Sequence, residues 1–248
     1  MQLKNAKIII TGGASGFGYH LALRLAPKVE HVFVIDVNAE QLSKNVYAEN
    51  VTSIVCDLTL IDQVEQVAKA IFNDNVGANV LINNAGIIHS EPLVNLLQRP
   101  DKKHSISNWL KVINVNLNAV FYMTACVVEQ MVTKKSAGVI INISSISAQG
   151  NIGQSAYSAS KAAVEALAKT WSKELGMFKI RCASIAPGFF DTSSTRDSLN
   201  EHMLAKWKKN VPTNTFGNPD ELMMAIEFII QNEYYNGKTL SLDGGLTL

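Results

Sequence analysis

The stretch A-K-I-I-I-T-G-G-A-S-G-F-G, Ala6 to Gly18, decides the fold. Ala6 to Thr11 is a short run rich in β-branched residues, a strand by composition. Gly16 to Ala26 reads as a helix that Pro27 stops. Gly12, Gly16 and Gly18 therefore fall in the corner between a strand and a helix. A helix N-terminus carries unpaired N–H groups and a partial positive charge, which suit a pyrophosphate. Glycine lets the phosphate come close and permits backbone angles that a Cβ would forbid. The strand before and the helix after are what make this glycine string meaningful.

The same alternation continues outward. His31 to Asp36 is a second strand, Ala39 to Tyr47 a helix and Val51 to Cys56 a third strand. In Leu60 to Phe72, apolar residues recur at Ile61, Val64, Val67, Ala68 and Ile71, which is helical spacing. Asn79 to Asn83, Val139 to Ser144, Ile180 to Ile185 and Thr239 to Leu242 complete the predicted strands. Between and beside them, helices are predicted over Ser107 to Val132, Ser155 to Gly176, Glu201 to Lys209 and Pro219 to Gln231. The strands are nearly continuous apolar runs, as in a parallel sheet covered on both faces. Right-handed crossovers then give an α/β, doubly wound, Rossmann-like parallel sheet of about seven strands, read as one domain over residues 1–248. Two segments break the rhythm, His89 to Ser105 and Phe189 to Asn200, and both follow carboxyl ends of strands, where such sheets bind ligands.

Composition excludes other classes. Of 248 residues, 47% are apolar, too many for a disordered chain. The net charge of +1 provides no field for nucleic acid, and Lys206, Lys208 and Lys209 read as a solvated helix face. Apolar runs such as Val139-Ile140-Ile141 are short, so no membrane span is expected. The start, Met1-Gln2-Leu3-Lys4-Asn5, lacks a secretory pattern. Cys56, Cys126 and Cys182 are odd in number and far apart, which favours a reducing, cytoplasmic location. The five histidines, His20, His31, His89, His104 and His202, show no metal-ligand spacing along the chain, and no metal is expected.

Asp36 ends the second strand, 18 residues after Gly18. A carboxylate there accepts hydrogen bonds from the adenosine ribose hydroxyls and repels a 2′-phosphate. Ser15 brings no basic side chain to offset that repulsion, so NAD(H) is predicted over NADP(H).

Three motifs then fall in order: T-G-x-x-x-G-x-G at Thr11 to Gly18, N-N-A-G at Asn83 to Gly86, and Y-S-A-S-K at Tyr157 to Lys161. Together they resemble the short-chain dehydrogenase/reductase family, in its branch of roughly 250 residues, from Ala6 to Gly245. The resemblance implies that the turn residues Gly12, Ser15, Gly16, Phe17 and Gly18 hold the cofactor. It implies that Asp57 contacts the adenine with Leu58 beside it, and that Asn84 and Ala85 line the adenine ribose while Asn83 and Gly86 shape their turn. Pro187, Gly188 and Thr192 match the loop near the nicotinamide amide, with Ile185 close to the ring. Asp243-Gly244-Gly245 is similar to an end that often meets another subunit.

Tyr157 and Lys161 are four residues apart on a predicted helix and so share a face. A nearby ammonium favours the phenolate and lowers the tyrosine's pKa. Tyr157 then exchanges a proton with the substrate oxygen while hydride moves to or from the nicotinamide. Lys161 also holds the nicotinamide ribose. A serine hydroxyl should polarise the substrate oxygen. Counting forward from the fifth strand gives Ser145; counting back thirteen residues from Tyr157 gives Ser144. Strand ends are rigid and loops absorb deletions, so Ser145 is preferred, with Ser144 the alternative. Asn116, in N-V-N-L-N, resembles the family's helix asparagine, which holds a relay water next to Lys161.

The resulting reading is an NAD-dependent oxidoreductase that interconverts a small secondary alcohol and a ketone. Reduction of a 3-oxoacyl thioester is the alternative within enzymes, and a non-catalytic nucleotide sensor the alternative outside them. Phe189, Phe190, Met203 and Trp207 are candidate apolar walls for the substrate. Relatives imply a homodimer or homotetramer.

Overall fold

Alternation along the first strand builds two cores at once. Ile8 and Ile10 pack into one apolar cluster and Ile9 into another, because successive side chains leave opposite faces of a sheet. The computed structural model describes residues 1–73, 77–97, 101–192 and 207–248. Met203, most of the expected helix at 201–209, the end of the 189–200 excursion and three residues of the 89–105 excursion lie outside the described residues.

Seven strands are described: β1 Lys7–Thr11, β2 His31–Asp36, β3 Val51–Val55, β4 Val80–Asn83, β5 Gly138–Ile143, β6 Ile180–Pro187 and β7 Thr239–Leu242. They form one sheet in the order β3-β2-β1-β4-β5-β6-β7, and every neighbouring pair is parallel. Helices α1 (Gly16–Leu25) and α7 (Pro219–Gln231) cover one face. On the other face lie α3 (Ile61–Asn73), α5 (Ala119–Thr133) and α6 (Ser155–Glu174). Asp220 of α7 accepts a bond from Arg24 Nε at 2.9 Å and meets His20 Nε2 at 2.7 Å, fixing α1 and with it the glycine turn.

Several boundaries depart from the sequence reading. Helix α2 spans Ala39–Lys44 and stops short of Tyr47. The chain peels away so that the Asn45 amide donates to Ala14 O at 2.8 Å and the Tyr47 hydroxyl to Gly13 O at 3.2 Å, bracing the glycine turn from behind. Helix α6 ends at Glu174. Gly176 opens a 3-10 turn, and it is Lys179 that takes the left-handed conformation (φ 59°) at its end.

The long helix expected at Ser107 to Val132 is three pieces: α4 (Ile106–Ile113), a π-turn (Asn114–Asn118) and α5. Its 28 residues are long and apolar enough, by length and composition, to cross a membrane, which the short apolar runs of the sequence did not suggest. Val112, Val120, Met123, Val127 and Met131 are instead buried within the protein, and the π-turn places three asparagines mid-run. That is the pattern of a core helix.

β5 lies centrally, and Ile140 is fully buried between the sheet and the α5–α6 layer. Ile140→Ala should destabilise the protein by about 2–5 kcal/mol. Thermal unfolding followed by circular dichroism checks this, at roughly 2–4 °C for each kcal/mol.

Candidate active site

β1 and β4 are neighbours, yet the chain leaves β1 toward β2 and leaves β4 toward β5. Their turns diverge, and a cleft opens at the carboxyl ends of the strands. The cleft has a volume of about 560 Å³ and draws walls from the ends of β1 through β6. Every expected cofactor-contacting residue lines it except Gly18.

Gly18 serves from beneath. A Cβ there would stand 2.1 Å from the Gly12 carbonyl oxygen and 2.8 Å from the Asn84 amide nitrogen. Gly12 has φ +66°, and a Cβ on it would lie 2.7 Å from Ala85 Cα. The T-G and N-N-A-G motifs are thus two halves of one contact. The Thr11 hydroxyl accepts bonds from the backbone N–H of Asn84 and Ala85 at 3.0 and 3.1 Å. The Asn84 amide donates back to the carbonyls of Thr11 and Gly12. Asn83 does not shape the turn, as the resemblance implied. It sits in β4 and donates from the buried sheet to Thr124 and Asn142, both at 2.9 Å.

The site fits a dinucleotide on its own geometry. The Ser15 side chain does not cap α1, and no acidic residue occupies the helix's first turn. Nothing lies within 4 Å of where a Gly16 Cβ would be. The helix N-terminus therefore faces the cleft with free N–H groups, an anion site without an anion of its own. Asp36 is already held: Ala14 N–H donates to one oxygen at 3.0 Å and Asn38 N–H to the other at 2.9 Å. A carboxylate has lone pairs to spare, so this fixes the group for a further pair of hydroxyls. Asp57 Oδ1 accepts from the Thr59 N–H and hydroxyl, and Asp57 and Leu58 both line the cleft. Lys161 is the one cation among the described lining residues.

Tyr157 and Lys161 stand on the buried side of α6. The Lys161 Nζ lies 5.7 Å from the centre of the Tyr157 ring and donates to the Ile143 carbonyl at 2.7 Å. Burial pushes its pKa down from 10.5 to about 8. Gly86 passes close beside it: a Cβ there would lie 3.3 Å from Asn116 Oδ1 and 3.5 Å from Nζ. Tyr157 corrects an expectation. Burial raises its pKa, opposed by a hydrogen bond with Ser145, so the shift runs opposite to that expected from the ammonium alone. In this state the phenol holds its proton at neutral pH.

Both serines line the cleft just past the end of β5, but their hydroxyls take different partners. The Ser144 hydroxyl reaches back to α6, donating toward the Glu165 carboxylate at 2.7 Å and the Lys161 carbonyl at 3.1 Å. The Ser145 hydroxyl is on the Tyr157 side and also accepts from Ser147 N–H at 3.1 Å. Asn116 is fully buried in the π-turn and does not reach the cleft wall. Its amide accepts from Ile87 N–H at 2.8 Å and donates to Ile87 O at 2.9 Å and Ser160 Oγ at 3.3 Å. Both amide hydrogens are committed to protein acceptors. The residue clamps the strand-like segment after Gly86 to the helix that carries Lys161.

Pro187 ends β6, and Gly188 and Thr192 follow it along the cleft. Gly188 is required by the close approach of Asp243, whose Cα a Cβ would meet at 2.8 Å. Ile185 is fully buried in the core and not on the cleft wall, because β6 runs two residues further than expected. Phe190 also lines the cleft, though largely buried, and stands edge-on to Phe17 at 5.2 Å, so it supports the glycine turn as well. Phe189 lines the cleft and touches Trp207 at 4.9 Å. Sequence reasoning missed Gln154, Ser147 and Ile87, all of which line the cleft from loops or by backbone contacts that carry no motif.

Comparison with known proteins agrees with this geometry. A family model described as short chain dehydrogenase matches residues 6–203. The chain is 36% identical to the 3-oxoacyl-[acyl-carrier-protein] reductase FabG of Thermotoga maritima, over all of both chains. It is 32% identical to sorbitol-6-phosphate 2-dehydrogenase of Klebsiella pneumoniae, covering 100% of this chain and 98% of that one. Among solved structures, one titled "Crystal structure of gox2181" superposes with a TM-score of 0.87 at 27% identity, covering 98% of this chain and 97% of the other.

A lysine whose folded pKa is depressed is a burden on the fold while charged. Below about pH 8 it is protonated in both states and the full cost applies; between about 8 and 10.5 only the unfolded chain keeps the proton, so rising pH removes the cost. Lys161→Met should therefore raise stability at pH 7 by on the order of 1–3 kcal/mol. The gap to the unsubstituted protein should close as pH rises toward 10.5. Thermal melts of the two proteins across that range check both parts.

Proposed function

This chain belongs to the short-chain dehydrogenase/reductase family, and from that premise we propose that it is an NAD-dependent oxidoreductase interconverting a secondary alcohol and a ketone, with Tyr157 as the acid and base. The observation that carries the reading is the joint placement of Tyr157, Lys161 and the uncapped α1 N-terminus in one cleft. When bound, the nicotinamide supplies or accepts the hydride.

The chain's own residues do the rest. The α1 N-terminus and the glycines seat the pyrophosphate. Asp36 takes the adenosine ribose hydroxyls, and the absence of any other cation among the described lining residues leaves a 2′-phosphate without a partner, which favours NAD(H). Asp57 and Leu58 bound the adenine, and Pro187, Gly188 and Thr192 bound the nicotinamide amide. Ser145 polarises the substrate oxygen. Tyr157, protonated at neutral pH in its buried setting, donates a proton to that oxygen in the reducing direction and recovers it in the other. Lys161 holds the nicotinamide ribose and supplies the positive charge that stabilises a phenolate. Asn116 is a positioning residue that keeps Ile87 and α6 in register. Three buried, unpaired cysteines suit a reducing cytoplasm, and exposed Leu110, Phe121, Met224 and Phe228 suit a homodimer or homotetramer.

A second reading, reduction of a 3-oxoacyl thioester, is favoured by the names of several relatives and by the exposed apolar side chain of Ile88 on the cleft wall. Assays of ketones, secondary alcohols and 3-oxoacyl thioesters with each cofactor separate the readings. We expect higher kcat/KM with NADH than with NADPH; the reverse result removes Asp36 from its role.

Tyr157→Phe should lower kcat by about 10²–10⁴ while NADH still binds, measured by fluorescence titration. Ser145→Ala should lower it by about 10²–10³. Ser144→Ala, by contrast, should keep most of the activity. Loss confined to Ser144→Ala would overturn the assignment of the serines, and full activity in Tyr157→Phe would leave a nucleotide-binding protein without this chemistry.

A further inference from the structure

Three side chains that the sequence keeps apart meet where the 89–105 excursion begins. The donor atoms of His89, Glu91 and His104 all lie within 4.8 Å of one another. His89 Nε2 is 2.9 Å from Glu91 Oε2, and His104 Nδ1 is 3.7 Å from the same oxygen. A tetrahedral zinc ion with bonds of about 2.0–2.1 Å holds its donors roughly 3.3 Å apart, close to the separation of His89 Nε2 and Glu91 Oε2; His104 offers its unpartnered Nε2 while its Nδ1 keeps the Glu91 carbonyl.

The surroundings are those of a ligand set. Glu91 Oε1 accepts the Ser105 N–H at 2.9 Å, and the Asn108 amide reaches Oε2 at 3.3 Å, so the carboxylate is oriented from behind. The His104 ring is buried; its Nδ1 faces the Glu91 carbonyl at 3.1 Å, and its Nε2 has no partner among the described residues. A histidine buried only for hydrogen bonding would use both nitrogens. The His89 side chain is 32% exposed, giving an ion a way in.

We propose that His89, Glu91 and His104 bind one divalent transition-metal ion of the zinc class, outside the hydride-transfer site, and that the ion clamps the excursion to the rim of the cleft. Two imidazoles and one carboxylate suit zinc and its neighbours more than magnesium or calcium. The ion displaces the proton shared by His89 and Glu91, and no oxidation or reduction is involved. The clamp has a direct path to the cleft. Glu91 N–H donates to Gly153 O at 2.6 Å, Glu91 pairs with Gln154, and the Gln154 amide donates to Ser90 at 3.2 Å. Gln154 lines the cleft and immediately precedes α6, which carries Tyr157.

The test uses the untagged full chain, stripped with a chelator and dialysed. Titration with zinc against a chromophoric chelator should give one ion per chain and a higher thermal midpoint. Cobalt(II) should show the intense visible bands of tetrahedral coordination. His89→Ala, at a partly exposed position that keeps the fold, should weaken binding roughly tenfold or more, and so should His104→Gln. Circular dichroism verifies that the variants are folded. Less than a stoichiometric ion at micromolar zinc, or equal affinity in folded His89→Ala, overturns the proposal. Neither readout depends on hydride transfer, so failure here leaves the proposed reaction standing.

Discussion

The close approach of two turns at the point where the sheet changes direction governs this molecule. Gly12 packs on Ala85 with no room for a Cβ, and Gly18 packs on Gly12. Thr11 receives the N–H groups of Asn84 and Ala85. Because β1 and β4 are locked there, α1 starts where its N-terminus faces the cleft, and the segment after Gly86 is aimed at α6. Hydrophobic burial on both faces of the sheet supplies most of the stability, but it is non-directional. These few contacts, with hard backbone limits, set the cleft's geometry.

A second constraint is the buried polar layer under the site. Asn83 donates to Asn142 of the neighbouring strand and to Thr124 of α5, and Asn142 donates to the Val164 carbonyl of α6 at 3.0 Å. Asn116 ties Ile87 to Ser160. Buried amides are costly unless partnered, so each one narrows the arrangements available to α6. Lys161 sits at the top of this layer with its ammonium against Ile143 O. The depressed pKa of that lysine and the raised pKa of Tyr157 have one origin, desolvation between helix and sheet. The fold bears both costs at one place, the side of α6 that faces the cleft.

The 89–105 excursion is tied to the same cleft from outside. It is joined to the 151–154 loop through Glu91 and Gln154, so whatever orders His89, Glu91 and His104 also orders the approach to Tyr157. Leu93 and Leu97 remain exposed on it, and Ile152 is exposed on the 151–154 loop.

The sequence by itself determined the layered architecture, the order of its elements and the three motifs of the cleft, because a parallel sheet needs two-faced apolar strands and a phosphate needs glycine before a helix. His31–Asp36, Pro219–Gln231 and Thr239–Leu242 were legible to the residue. Only the tertiary structure decided that Asn83 belongs to the buried layer, that Asn116 clamps Ile87, that the Ser144 and Ser145 hydroxyls take different partners, and that His89 and His104 stand together. Each of these depends on which distant group fills the space beside a side chain. Periodicity along a chain records burial and direction, but not the identity of the neighbour on another element.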